Sequence, residues 1–183
     1  MDEAKILESI RCGDIGAFTT IIERYQLPLT GYLYRLTGNW ETAKDLAQDT
    51  FIQAYKSIPN TYFRSSFKAW LYKVATNAGK KFLQHNNHAV DISVEMIARG
   101  KIRAGAWNPG NVIEDMHIRE TLLKVKKERR VSLLLHFWEG LTYREIAGIV
   151  GASEEAVRKR VSRGCREFRE HYERRGESED EVR

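Results

Sequence analysis

The chain has 183 residues, of which 42% are hydrophobic and 30% are charged, and its formal net charge is +5. This composition is typical of a globular protein and excludes a disordered or fibrous chain. The sequence contains no run of about 18 consecutive apolar residues and no basic N-terminal leader, so we expect a cytoplasmic protein without a membrane span or a signal peptide.

The first sixty residues predict three consecutive helices. Apolar residues at helical spacing occupy 15–25, after a stop at Gly13 and an N-cap at Asp14. Pro28 suits the first turn of a second helix, which Gly38 ends. A third helix then runs from about 40 to 58. Three helices in a row indicate an α-helical bundle.

The third helix has two different faces. One face repeats at the spacing that contacts a core and consists of Ala43, Leu46, Ala47, Thr50 and Ala54. The other face consists of Asp45, Gln48, Asp49 and Ile52. Because the two aspartates are one turn apart, their repulsion costs a few tenths of a kcal/mol in an isolated helix. This cost invites a functional explanation.

A basic and aromatic segment follows. Its loop contains Tyr62 and Phe63, and Ser66 is placed to cap a helix that runs to about residue 85. The polar face of this helix includes Lys73, Asn77, Lys80 and Lys81. Residues 51–90 contain six bases and no acid, whereas residues 1–50 contain eight acids and five bases. This segregation of charge favours a surface that binds nucleic acid. The alternative is an ordinary helix face that is exposed to solvent.

The last third predicts a helix-turn-helix after a flexible linker at 86–117. Thr142 and Glu145 form a capping-box pattern, Gly151 provides a turn, and Ser153 caps the final helix. That helix turns Val157, Val161, Cys165, Phe168 and Tyr172 inward. The residues on the exposed face of this helix are Arg158, Lys159, Ser162, Arg163 and Arg166. A basic exposed face suits DNA, and a generic amphipathic helix is the alternative. Residues 176–183 form an acidic tail.

Three segments, in this order, resemble the extracytoplasmic-function (ECF) sigma factors of the sigma-70 family. They are Asp45-Leu46-Ala47-Gln48-Asp49-Thr50-Phe51, Ser66-Phe67-Lys68-Ala69-Trp70-Leu71 with Ala75-Thr76-Asn77, and Glu139-Gly140-Leu141-Thr142-Tyr143-Arg144-Glu145-Ile146-Ala147. The similarity extends over about 13–172. It implies an all-α protein of two small helical domains, region 2 at 1–85 and the region 4 helix-turn-helix at 118–175, joined by the flexible linker.

The resemblance also implies a partner for each exposed face. The β′ clamp helices of core RNA polymerase would bind Asp45, Gln48, Asp49 and Ile52. The −10 promoter element would be opened and held by Tyr62, Phe63, Lys73, Asn77, Lys80 and Lys81. The −35 element would be read by Arg158, Lys159, Ser162, Arg163 and Arg166. The polymerase β flap and an anti-sigma factor, often membrane-bound in this family, are further expected partners.

Two other classes of protein fit the sequence less well. A stand-alone helix-turn-helix regulator leaves the acidic and the aromatic faces without a role. An enzyme needs a nucleophile with its base, a pocket or a metal cluster, and we expect no catalytic residue, metal or cofactor. Cys12 and Cys165 are far apart, which argues against a zinc site or a disulfide and favours two buried thiols.

Overall fold

A computed structural model describes residues 3–63, 66–85 and 112–180. Every regular element within these ranges is a helix, and the helices form two groups along the chain. The prediction of an all-α protein with two helical domains is confirmed. Most of the predicted linker lies outside the described residues.

The N-terminal group is a bundle around one core. Its helices are α1 (Glu3–Arg11), α2 (Ile15–Thr37), α3 (Trp40–Ser57) and α4 (Phe67–His85), with a 3-10 turn at Ile58–Asn60 between α3 and α4. Leu29, Leu33 and Leu36 of α2 are fully buried. Across the core, the Tyr32 hydroxyl and Thr76 Oγ1 share a hydrogen bond of 2.7 Å. The core therefore holds α2 against α4.

The predicted helix break at Pro28 is wrong, because α2 continues through it. Pro28 lacks an N–H and so removes one backbone hydrogen bond. However, Tyr25 before it and Leu29 and Tyr32 after it are all buried in the same core. Burial of each large apolar side chain contributes about 1.5–3 kcal/mol to stability, which outweighs the missing hydrogen bond.

The C-terminal group contains the predicted helix-turn-helix. It comprises α5 (Val112–Lys124), α6 (Lys127–Leu133), a π-helical turn at Leu134–Trp138, α7 (Tyr143–Val150) and α8 (Glu154–Asp180). Helix α5 begins inside the predicted linker, and α8 extends into the predicted acidic tail. None of the described helices is both long and apolar enough to cross a membrane.

Local side-chain caps set the ends of α7 and α8. Thr142 Oγ1 accepts the amide of Glu145 at 3.3 Å, and the Glu145 carboxylate accepts the amide of Thr142 at 3.0 Å. Gly151 takes a left-handed φ of 67°, which favours glycine, and ends α7. Ser153 Oγ then accepts the amide of Ala156 at 3.1 Å. The caps fix the turn between the two helices.

The cysteines differ from expectation. Cys165 is half-buried in α8, but Cys12 is exposed at the end of α1. Gly13 follows Cys12 with a left-handed φ of 91° and turns the chain there, so the thiol lies at a helix end rather than on a packed face. The prediction of a buried thiol at Cys12 is wrong.

Candidate functional site

Helix α3 presents the predicted acidic face to solvent. Asp45, Gln48 and Asp49 are exposed, and the Ile52 side chain is 46% exposed. Gln48 and Ile52 line a groove of about 530 Å³ between α2 and α3, which also contains Phe18 and Tyr55. Among the described residues, neither aspartate has an ion-pair partner. This face combines uncompensated negative charge with an apolar groove.

The loop before α4 separates its two aromatic residues. Tyr62 is 90% exposed. Phe63 is half-buried and makes edge contacts with Phe67 and Trp70, each at 5.3 Å between ring centroids. Arg11 of α1 donates a hydrogen bond of 3.0 Å to the Thr61 carbonyl and lies 5.6 Å from the Tyr62 ring centroid. The loop is therefore anchored at its base, while the Tyr62 ring is presented outward.

Helix α4 brings most of the predicted polar residues to one surface. Lys73, Asn77 and Lys81 are exposed at successive turns of the helix. Lys80 is half-buried instead, and its pKa is lowered by burial and by the nearby positive charge of Arg160, which outweigh the opposing effect of Glu128. Lys80 therefore lies beside the C-terminal group.

Helix α8 exposes all five predicted DNA-binding residues, Arg158, Lys159, Ser162, Arg163 and Arg166. Three of them reach acids on their own helix: Arg158 to Glu154 at 3.2 Å, Lys159 to Glu155 at 2.6 Å and Arg166 to Glu170 at 3.9 Å. Such exposed pairs contribute about 0.2–1 kcal/mol, so a phosphate can replace the acid at little cost.

A small stack of side chains supports one of these residues. The Arg158 guanidinium lies over the Tyr143 ring at 5.4 Å from its centroid. The same ring stacks on His136 with centroids 4.5 Å apart. Tyr143 begins α7, so the first helix of the helix-turn-helix orients a cation on the second.

An apolar groove on the C-terminal group was not predicted from the sequence. It has a volume of about 470 Å³ and includes Leu133, Phe137, Trp138, Phe168 and Tyr172 in its lining. Tyr172 is 40% exposed, so its predicted inward position is wrong. The π-helical turn shifts the helical register and leaves Phe137 58% exposed. In the sequence, the adjacent aromatic residues Phe137 and Trp138 were the signal that could have indicated this groove.

These surfaces have the chemistry of reversible binding. They offer acids, an exposed ring, cations and apolar grooves. Within the part of the chain that the structure describes, no group of three or more His, Cys, Asp or Glu side chains could hold a metal ion.

Comparison with protein families identifies the class. Residues 21–88 match the model of sigma-70 region 2, and residues 116–168 match that of sigma-70 region 4. The two matches together cover more than half of the chain. The chain belongs to the sigma-70 family, whose members are transcription initiation factors.

Relatives then define the group within this family. An RNA polymerase sigma-H factor of Pseudomonas aeruginosa is 27% identical over 178 residues, which cover 88% of this chain and 89% of that protein. An ECF RNA polymerase sigma-E factor of Escherichia coli K12 is 28% identical over 168 residues, covering 86% and 87%. The chain is an RNA polymerase sigma factor of the ECF type, which confirms the prediction from its motifs.

Solved structures share the fold. The sigma factor RpoE of Bartonella quintana, in complex with the anti-sigma factor NepR, is similar with a TM-score of 0.69 at 20% identity, covering 87% of this chain and 98% of that one. CnrH, in complex with the cytosolic domain of CnrY, is similar with a TM-score of 0.67 at 19% identity, covering 89% and 92%.

Proposed function

We propose that this sigma factor directs core RNA polymerase to promoters through three separate surfaces: the acidic face of α3, the α4 face with its preceding loop, and the exposed face of α8. The observation that carries this proposal is that one chain presents exposed acids on α3, exposed cations with an exposed ring on α4 and its preceding loop, and exposed cations on α8. The factor acts by binding alone, in the cytoplasm, and the polymerase performs the chemical step.

The α3 face would bind the β′ clamp helices. Asp45 and Asp49 supply charge for a basic partner helix, and Gln48 and Ile52 border a groove that can receive its side chains. Complementary charge speeds association and fixes the register of two helices more than it adds affinity. The groove around Phe137 and Tyr172 is suited to a second polymerase contact, the β flap.

The α4 face would hold the opened −10 element. The Tyr62 ring is 90% exposed, and stacking on such a ring contributes about 1–3 kcal/mol for each unpaired base. Lys73, Asn77 and Lys81 lie along the helix that follows and can track the strand. Phe63 would act indirectly, because its packing holds the loop in position.

The α8 face would read the −35 element in the major groove. A bidentate arginine on guanine discriminates by about 1–3 kcal/mol against the wrong base. Arg158 is already oriented by Tyr143, and Arg163 has no ion-pair partner among the described residues. These two arginines are the best candidates for base contacts, and Lys159 and Arg166 for phosphates.

An anti-sigma factor is the proposed regulator. The similar factors RpoE and CnrH were solved in complexes, with the anti-sigma factor NepR and the cytosolic domain of CnrY respectively. We infer a comparable partner for this chain, one that covers the α3 face and thereby excludes polymerase. In this family such a partner is often anchored in the membrane.

Run-off transcription with purified core polymerase, this protein and a promoter library tests the proposal. We expect specific start sites only when the protein is present, with core alone as the control. Binding to duplex DNA without any binding to core would instead support a stand-alone helix-turn-helix regulator.

A further inference from the structure

The last residue of α1 joins that helix to the loop that carries Tyr62. Arg11 Nη2 donates a hydrogen bond of 3.0 Å to the Thr61 carbonyl, which is 50 residues further along the chain. The Arg11 guanidinium also lies 5.6 Å from the Tyr62 ring centroid and 5.8 Å from the Phe63 ring centroid. One side chain therefore contacts three consecutive residues of the loop.

The position of Arg11 is fixed by its own helix. The buried side chains of α1 hold the helix on the N-terminal bundle, next to the 3-10 turn that leads into the loop. Arg11 Nη1 donates a hydrogen bond of 3.1 Å to the Glu8 carboxylate, and the Arg11 side chain is only 24% exposed. A guanidinium can bind a carboxylate and a carbonyl at the same time because it has five N–H groups in one rigid plane.

The hydrogen bond to Thr61 fixes the backbone just before Tyr62. The Thr61 amide donates a hydrogen bond of 3.3 Å to the carbonyl of Ile58, which is fully buried. The Thr61 carbonyl accepts the hydrogen bond from Arg11. Hydrogen bonds from a charged donor are stronger than those between neutral groups. Both backbone polar groups of Thr61 are therefore bonded within the N-terminal bundle.

Arg11 also supports the exposed ring of the loop. Tyr62 is 90% exposed, whereas Phe63 is half-buried and packs against Phe67 and Trp70. An exposed side chain loses rotational freedom when a base stacks on it, and this loss weakens binding. A cation within about 6 Å of a ring centroid is attracted to the face of the ring. The guanidinium therefore favours one orientation of the Tyr62 ring before DNA binds.

We propose that Arg11 is a positioning residue for promoter opening, which holds the loop and the Tyr62 ring in the orientation that receives an unpaired base of the −10 element. Arg11 lies over one face of the ring, and the base stacks on the opposite face. The inference rests on the proposed function, because it assigns Arg11 to the same −10 surface. It extends that surface from α4 and its preceding loop to α1.

A double-mutant cycle with Tyr62 tests whether Arg11 acts through the ring. Arg11→Met removes the charge and the donors, and we expect it to reduce opening of the −10 element by saturating holoenzyme by about fivefold. In a Tyr62→Ala background the same change should cause little further loss, because residues in contact are energetically coupled. Lys5→Met removes an equal charge at an exposed position of α1 and should leave opening unchanged. Fluorescence of 2-aminopurine in the −10 element measures opening.

A conservative substitution separates positioning from simple attraction of DNA. Arg11→Lys keeps the positive charge but lacks the planar group that bonds the Thr61 carbonyl and the Glu8 carboxylate together. We therefore expect Arg11→Lys to restore little of the opening that Arg11→Met loses. Recovery to the wild-type level would show that Arg11 attracts a phosphate, and would overturn the positioning role.

The mobility of the loop can be measured without DNA. A nitroxide label is attached to Asn60→Cys in a Cys12→Ser, Cys165→Ser background, since Asn60 is exposed and precedes Thr61. Electron paramagnetic resonance should show a shorter rotational correlation time after Arg11→Met and no change after Lys5→Met. The melting temperature of each variant shows whether its bundle is folded.

The outcomes separate this inference from the proposed function. The inference is wrong if Arg11→Met opens promoters as well as the wild type does, or if its fractional loss is the same with and without the Tyr62 ring. If Arg11→Met increases the mobility of the label but the wild type opens no promoter, Arg11 holds the loop and the assigned promoter function is wrong.

Discussion

Tyr62 and Phe63 are neighbours in the chain with opposite environments, and this difference leads to a test at the scale of single residues. We expect Tyr62→Ala to reduce promoter opening by about 1–3 kcal/mol per stacked base while leaving the melting temperature unchanged. Phe63→Ala should instead lower the free energy of unfolding by about 2 kcal/mol, because it removes ring contacts with Phe67 and Trp70. Fluorescence of 2-aminopurine in the −10 element measures opening. Equal destabilisation by the two variants would contradict these roles.

Asp49 leads to a second prediction, which concerns polymerase binding. Asp49→Lys should weaken binding to core polymerase by about tenfold or more, because it places like charges at the proposed contact. Glu23→Lys is the control, since Glu23 is exposed on α2 and lies outside the groove between α2 and α3. Fluorescence anisotropy of labelled protein gives both affinities, and equal effects would argue against a contact at Asp49.

Glu167 gives a prediction about pH. Burial disfavours its ionised form, but a hydrogen bond of 2.7 Å from Arg129 and one of 3.1 Å from the Lys126 amide outweigh burial and lower its pKa. A lowered pKa stabilises the fold above the usual carboxyl pKa, and this stabilisation is lost as the pH falls through the lowered value.

Urea unfolding at several pH values therefore compares the free energy of unfolding of Glu167→Gln with that of the wild type. We expect the variant to be less stable by about 1 kcal/mol at neutral pH, with the difference disappearing in acid. Glu170→Gln removes an exposed acid 3.9 Å from Arg166 and should change stability little at either pH. A pH-independent difference for Glu167→Gln would show that the carboxylate charge is unimportant.

At the scale of elements, α8 packs closely on α6 at Gly164. A Cβ at this position would lie 3.0 Å from two atoms of Leu133 and 3.3 Å from the Arg129 Cβ. We expect Gly164→Ala to lower the free energy of unfolding by about 1 kcal/mol, because crowding outweighs the better helix propensity of alanine. Gly148→Ala is the control, since nothing lies within 4 Å of its added Cβ, and it should be neutral or stabilising. The order of the two melting temperatures checks the prediction.

The elements also show what sequence can and cannot predict. The caps at Asp14, Thr142 and Ser153 were predicted correctly because each depends on residues only three positions apart. The continuity of α2 through Pro28 was not, because it depends on burial against other helices. Tyr172 lines a groove opposite Phe137 and Trp138 and is 40% exposed, which apolar periodicity in α8 does not reveal.

At the scale of the whole molecule, the contact between the two groups was not predictable. Arg119 and Arg130 look like ordinary charged positions on helices, and the Leu36 carbonyl that Arg130 meets is 94 residues away. Backbone carbonyls are present at every residue, so nothing in the sequence indicates which of them a buried arginine contacts. The exposed charged faces of α3, α4 and α8, in contrast, were predicted from local charge and motif.

Small-angle X-ray scattering provides a prediction at this scale. Arg119 contacts the Gly38 carbonyl and lies over the Tyr34 ring at 5.0 Å from its centroid, so Arg119→Met removes contacts between the groups. A compact domain of this length has a radius of gyration of about 16 Å. We expect the variant to have a larger radius of gyration than the wild type, and Lys159→Met, at an exposed position of α8, to have the same radius. An unchanged radius for both variants would show that Arg119 does not hold the groups together.

Arg119 and Arg130 donate hydrogen bonds to the Gly38 and Leu36 carbonyls at the C-terminal end of α2, and these contacts have a consequence for the nascent chain. The N-terminal bundle is complete once residue 85 has been synthesised, but Arg130 follows 45 residues later, as counted from the sequence. At a synthesis rate of about 5–20 residues per second, this interval lasts roughly 2–9 s. During that time the bundle must fold with the carbonyls at the C-terminal end of α2 hydrated. These carbonyls therefore exchange water for the guanidinium groups of Arg119 and Arg130 only after the last third of the chain has been synthesised.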